Sequence, residues 1–259
     1  MASFENIRAV ERTMLVLREL NRRSISTVKL LHHETGLPSP TLVRILETLE
    51  SLGYVKNVGR RVGYTLTEKI VELSGGFHGF PVIYKRAEKI LSDLTDRVLW
   101  PAALATLDGD AMVVRLSTIP RSPLSHTHST LQKRLELLSR AHGRAYLAFC
   151  PKEERDRLMK LLVKNGYSRM DASALEERMR PILNNVRQRG FAVRDHEIDP
   201  QTATVAMPVM VGKRVVSTVG LTFFRSVRSS RDELVKQLAI ATRQIAALDS
   251  SGHKGSVGG

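Results

Sequence analysis

The stretch "GLPSPTLVRILETLESLGYVKNVGRRVGYTLT", Gly36 to Thr67, admits few local structures. Ser39 is a good helix N-cap, and Pro40 follows at the first helical position, where an N–H would go unused. A helix is therefore expected from Pro40 to about Leu52, with Gly53 as its stop. Leu42, Ile45, Leu46, Leu49 and Leu52 share one side at helical spacing and predict the core face. Pro40, Thr41, Arg44, Glu47, Thr48 and Ser51 share the other. After Gly53, "YVKNV" and "VGYTLT" are short β-type runs joined by "GRR", which predicts a small hairpin tipped by Arg60 and Arg61.

The residues upstream complete a set. Ile7, Val10, Met14, Leu17 and Leu20 recur at helical spacing, so an amphipathic helix is expected over about 6–22. Ser26 offers an N-cap for a short second helix through "TVKLLHHET", which Gly36 ends. Helix, short helix, tight turn, capped helix and basic hairpin, in that order, predict a winged helix-turn-helix. On that reading Ser39, Pro40 and Thr41 bring a helix N-terminus and hydroxyls to a phosphate, and Arg44 reaches a base edge. Thr48 continues the same face one turn later, and Arg60 and Arg61 follow a backbone or enter the minor groove. The alternative is a solvated helix face in a plain three-helix bundle, and the ordered set argues against it.

Bulk properties fit without deciding. The chain of 259 residues is 42% hydrophobic and 25% charged, a globular composition with room for two domains. Its net charge of +14 favours polyanion partners, yet only a small part of the excess falls in residues 1–75. The single cysteine, Cys150, excludes an internal disulfide and suits a reducing compartment. Neither a secretory signal nor a membrane span is recognisable, so a cytoplasmic protein is expected.

"TEKIVELSGGFHGF" reads as a brief helix and a Gly-rich boundary. The expected domains are 1–75 and 76–249, with 250–259 a disordered tail. In the second domain helices are expected over 82–97, 139–149, 152–165, 171–189 and 231–248. Pro181 is expected to kink or split the fourth. Strand pairs are expected around turns at Asp108-Gly109 and Gly212-Lys213. This irregular alternation predicts an α+β fold with a mostly antiparallel sheet.

These segments closely resemble the IclR family of bacterial transcriptional regulators. "LPSPTLVRILETLESLGYV" is similar to that family's recognition helix, and "YTLTEKIVELSG" to the end of its wing and its linker helix. "HGRAYLAF" and "RQRGFAVRDHEIDPQTATVAMPV" resemble two segments of its effector-binding domain, so the likeness spans nearly the whole chain. "VLWPAALATLDGDAMVVRLST" and "GRAYLAFCP" further resemble the MhpR-like subgroup, which controls aromatic-acid catabolism.

The resemblance implies a winged helix-turn-helix followed by a GAF-like α/β effector-binding domain. It also implies a homodimer or tetramer on double-stranded DNA with a palindromic operator, and a small carboxylate effector. Family pocket positions fall on Leu124, Thr127, Leu135, Ala141, His142, Asp195, Thr202, Thr204 and Thr222. On this reading His142, if protonated, adds a charge-assisted hydrogen bond to the acid. Three departures stand out: Pro40 replaces a position often basic or polar, "SRAH" precedes "GRA" in place of small residues, and "DPQT" lacks the frequent glycine.

Other signals are weak. His126 and His128 lack a third metal ligand nearby, and Cys150 lacks an activating partner. There is no Walker loop and no "GxSxG" elbow. No cofactor, metal or catalysis is expected. Two further readings compete with the regulator: a nonspecific architectural DNA binder, and a small-acid enzyme.

Overall fold

A computed structural model describes residues 6–59, 62–74, 82–125, 129–194, 198–226 and 231–252. Arg60, Arg61, Thr127, Asp195, His126, His128 and the Gly-rich boundary lie outside the described residues, as does the tail beyond Gly252. The chain divides into two compact units. One covers Met1–Phe80 with His126–Ser129, the other Pro81–Ser125 with Thr130–Gly259.

The first unit is three helices and a hairpin: α1 (Arg8–Leu20), α2 (Val28–Thr35), α3 (Ser39–Ser51), β1 (Val55–Asn57) and β2 (Tyr64–Leu66). β1 and β2 pair antiparallel, and a 3-10 turn follows at Glu68–Ser74. Two caps differ from expectation. Thr27, not Ser26, caps α2 by accepting from the Leu30 amide at 3.2 Å. Ser26 is drawn instead into a backbone bridge with Tyr64. α3 begins at Ser39 itself, with Pro38 in the cap position and no side-chain cap bond. Pro38 and Pro40 supply rigid φ angles in place of the expected serine cap.

The unit's core is Val16, Leu20, Leu31, Leu42, Leu46, Leu49 and Val55, with Ile45 and Leu17 packed on it. Leu52, expected among them, is 53% exposed, because α3 ends beside it and Gly53 turns the chain away. The expected stripe of α1 also divides. Its second half is buried, whereas Ile7, Val10 and Met14 are 70%, 56% and 49% exposed.

The second unit is a six-stranded, wholly antiparallel sheet in the order β5-β4-β3-β8-β7-β6, which bears out the α+β expectation. Its strands are β3 (Ala102–Asp108), β4 (Ala111–Ser117), β5 (Arg134–Glu136), β6 (Ala192–Val193), β7 (Thr202–Val211) and β8 (Arg214–Phe224). The β3–β4 turn falls on Gly109-Asp110, one residue later than expected. On one face α4 (Val82–Val98) and α8 (Arg231–Gly252) cover Leu104, Val205, Val219, Leu221 and Phe223. The other face carries α5 (Ala141–Phe149), with α6 (Lys152–Lys164) and α7 (Ala172–Arg189) packed beyond it. Period-two alternation sends successive residues of β7 and β8 to these two cores. Pro181 does not split α7. Leu175, Met179, Leu183 and Val186 bury one continuous face across it, and the interrupted hydrogen bond lies on the solvent side.

Leu46→Ala should cost about 2–5 kcal/mol, because it opens a cavity at a fully buried site. Leu52→Ala should change stability by less than about 0.5 kcal/mol. Denaturant unfolding of the two variants tests this assignment of the α3 core face.

Candidate functional site

α3 presents its polar side outward. Ser39, Pro40, Arg44 and Thr48 are exposed, and Thr41 is half-buried at the rim. Among the described residues Arg44 has no hydrogen-bond or ion-pair partner, so its guanidinium is free to find one. The Thr48 hydroxyl donates to the Arg44 carbonyl at 2.8 Å, which leaves its oxygen as an acceptor.

The helix is held at both ends. Before it, the His32 ring nitrogen Nδ1 lies 2.7 Å from the Leu37 carbonyl oxygen and ties α2 to the turn. After it, Lys69 donates to the Leu52 carbonyl at 3.0 Å, the Thr67 hydroxyl to the Gly53 carbonyl at 2.6 Å, and Tyr54 to Glu72 at 2.5 Å. Glu50 accepts from the Asn57 amide at 3.0 Å and joins the hairpin to α3. The outward face thus stands on a rigid support, which a recognition surface needs.

In the second unit, α5 lies unusually close to the sheet. A Cβ on Gly143 would fall 2.3 Å from the Leu137 Cα, and one on Gly220 would fall 2.7 Å from the His142 Nε2. His142 is buried, its Nδ1 2.8 Å from the Thr218 hydroxyl. Thr218, Gly220 and Thr222 alternate along β8 on the face that meets α5. Thr204 stands opposite Thr222 in register, and their hydroxyls are 3.0 Å apart. Ala141 and Leu135 belong to the same core. Leu135, Ala141, His142, Thr202, Thr204 and Thr222 therefore share one side of the sheet.

One sequence-derived position does not join them. Leu124 packs on the opposite core, with Trp100. Trp100 is a core residue there, edge-on to Phe224 at 5.4 Å and to Phe223 at 6.5 Å. The Thr202 hydroxyl is committed, donating to Asp199 and accepting from Arg194.

The protonation on which a charge-assisted bond from His142 depends does not occur at neutral pH. Burial pushes its pKa down from 6.5 to about 4, against the opposing effect of its hydrogen bond with Thr218, so the ring is neutral at pH 7. Cys150 is buried and burial pushes its thiol up to about 11, as unsuited to nucleophilic attack as its sequence context indicates. No group of three or more His, Cys, Asp or Glu able to hold a metal occurs among the described residues. Nor is any described helix long and apolar enough to cross a membrane.

Sequence reasoning missed Thr218, Gly220, Arg194 and Arg225. The first two had a signal: in "STVGLTF" small or polar residues alternate with apolar ones, which marks one strand face. Nothing distinguishes a buried arginine from a surface one in sequence.

This architecture defines a class, a winged helix-turn-helix unit followed by a three-layer α/β unit. A model of the bacterial transcriptional regulator IclR C-terminal domain matches residues 81–247, and one of the IclR helix-turn-helix domain matches residues 9–59. The HTH-type transcriptional regulator KdgR of Escherichia coli (strain K12) is 25% identical over 249 residues, 94% of this chain and 93% of its own. The Pca regulon regulatory protein of Pseudomonas putida is 27% identical over 191 residues, 73% of this chain and 64% of its own.

Among solved structures, IclR of Thermotoga maritima has a TM-score of 0.62 at 19% identity, covering 93% of this chain and 98% of its own. An IclR homologue from Microbacterium hydrocarbonoxydans, complexed with 4-hydroxybenzoate, has a TM-score of 0.58 at 18% identity, covering 92% and 98%. The chain belongs to the IclR family of bacterial transcriptional regulators, and it is a regulator rather than an enzyme. Relatives such as KdgR, XynR and the Pca regulator lend no support to the narrower MhpR-like subgroup.

The neutral imidazole has a measurable consequence. The folded pKa of His142, about 4, lies below the unfolded value of 6.5, so the unfolded state takes up the proton first. This contribution is present above pH 6.5 and is lost as pH falls toward 4. His142→Asn should flatten that part of the profile, read from urea midpoints at pH 7 and pH 5.

Proposed function

We propose that this chain controls a catabolic operon by binding operator DNA through α3 and its wing, in response to a small carboxylic acid held at the first turn of α5, beside β7 and β8. An aromatic acid is the more specific form of the reading. The observation that carries the DNA half is the outward face of α3, with Arg44 unpaired among the described residues on a helix clamped at both ends. Ser39, Pro40, Thr41 and Thr48 are its proposed companions, with Arg60 and Arg61 on the wing. The acid half is supported by the hydroxyl pair Thr204–Thr222 and by His142 on one sheet face, and by the 4-hydroxybenzoate bound to the Microbacterium homologue. Leu135 and Ala141 are proposed as apolar walls and Asp195 and Thr127 as further contacts. Leu124 is no longer a candidate, given its place in the other core.

We further propose that the protein acts as a homodimer or a pair of dimers on a palindromic site. One recognition helix reads few base pairs, and two-fold symmetry doubles them. The exposed residues Val10 and Met14 on α1, with Ile7 at its cap, form an apolar stripe suited to a second copy.

Footprinting on DNA upstream of its own and neighbouring genes tests the reading. A regulator protects a discrete site whose occupancy changes with an added acid, whereas uniform protection would point to an architectural binder. Arg44→Ala should cost about 1–3 kcal/mol on the specific site and relax preference at one base pair. Equal loss on random DNA would make Arg44 a phosphate contact instead. Val10→Glu should shift the protein toward monomer in analytical ultracentrifugation and weaken operator binding with it.

A further inference from the structure

An arginine cluster stands at the end of the sheet nearest the first turn of α5. Arg194 follows β6, Arg225 follows β8, and Arg140 immediately precedes α5. The Arg194 side chain is only 9% exposed. Its Nη2 donates to both the carbonyl and the hydroxyl of Thr202, and the Arg225 Nε donates to the same carbonyl at 3.1 Å. Two cationic side chains thus converge on one neutral oxygen.

The Arg194 Nε is buried and, among the described residues, has no acceptor. The carboxylate facing it, Asp199, lies 3.6 Å from Nη2 and is already engaged. It accepts from the Gln201 amide at 2.9 Å, the Thr202 amide at 3.3 Å and the Thr202 hydroxyl. Burial pushes the Asp199 carboxyl up, but these hydrogen bonds outweigh it and hold the group below its ordinary range, so it is ionised. Arg140 and Arg225 are close enough to act on the Arg194 charge, and among the described residues Asp199 is the carboxylate paired with it. A buried cation short of acceptors is costly unless an anion completes its coordination.

We propose that Arg194 and Arg225, with Arg140 beside them, form the carboxylate-holding end of the effector site, so that the ligand is recognised as an acid rather than by shape alone. The proposal rests on the effector reading above and adds residues that it did not include. The register supports the placement. Thr202 lies two residues along β7 from Thr204, about 7 Å, so the cluster adjoins the Thr204–Thr222 hydroxyl pair. The Arg194 backbone amide bonds the Thr204 carbonyl at 3.0 Å, which ties cluster and pair together. A guanidinium fork matches the two oxygens of a carboxylate. An acid whose carboxylate meets Arg194 has its remaining body at the hydroxyl pair and at the neutral His142 ring.

Calorimetry on the full-length protein tests this with benzoate, 4-hydroxybenzoate and pyruvate, with benzamide as the uncharged counterpart of benzoate and inorganic phosphate as a non-carboxylate anion. At least one acid should bind, and benzamide should bind at least about tenfold more weakly than benzoate where benzoate is the ligand. Arg194→Gln should weaken acid binding by at least about tenfold, Arg225→Gln should weaken it less, and Arg194→Lys should restore part of the loss. Arg180→Gln, an exposed change on α7, should leave acid binding as in the wild type.

Circular dichroism establishes that each variant folds, and if Arg194→Gln does not, Arg225→Gln and Arg194→Lys decide. Acid binding within about twofold of wild type in Arg194→Gln or, failing that, in both other variants would overturn the arginine assignment and leave the effector reading standing. Phosphate bound in preference to every acid, and lost in the same variants, would overturn the carboxylate assignment. Failure of every acid to bind the wild type would remove the effector reading and this inference together.

Discussion

The second unit depends on how closely α5 approaches the sheet. Gly143 lets the helix meet the end of β5 and the turn after it, and Gly220 removes the Cβ that would meet His142 from β8. His142 then spans the gap, its ring placed by the Thr218 hydroxyl. Close approach also excludes water from the ring, which is why the imidazole is neutral at pH 7. Packing, protonation state and the chemistry available to a ligand all follow from one helix–sheet distance.

Charge is used differently in the two units. In the first, Arg44 is exposed and unpaired among the described residues, so it keeps its hydration until a partner displaces it. In the second, Arg194 is held out of water against a carbonyl, a hydroxyl and one carboxylate. The same side chain is inexpensive in one place and costly in the other. The overall charge of +14 distinguishes neither.

Much of the first unit was legible because its signals are local. Apolar residues at helical spacing, Gly36 and Gly53 as stops, and two short β-type runs mark its elements without reference to distant residues. The errors also have local causes. Ser26 and Thr27 are equally good caps in isolation, and the bridge to Tyr64 selects Thr27. Ile7, Val10 and Met14 continue the apolar period of α1, but the described unit offers them no core to enter. In the second unit β5 and β6, three and two residues long, are too short to show alternation and exist only because longer strands pair with them.

The sequence by itself determined the element types, the winged helix-turn-helix order, the antiparallel α+β class and the family. Periodicity, caps and turn residues act over a few neighbours and are readable there. Tertiary structure decided which members of each face are buried, which hydroxyls are already committed and which charges are desolvated. Thr202 reads as a free donor in sequence and is spent between Arg194 and Asp199 in the fold. Leu124 reads as a pocket wall and belongs to the opposite core. Such properties depend on residues that lie far apart in the chain and meet only when the sheet closes.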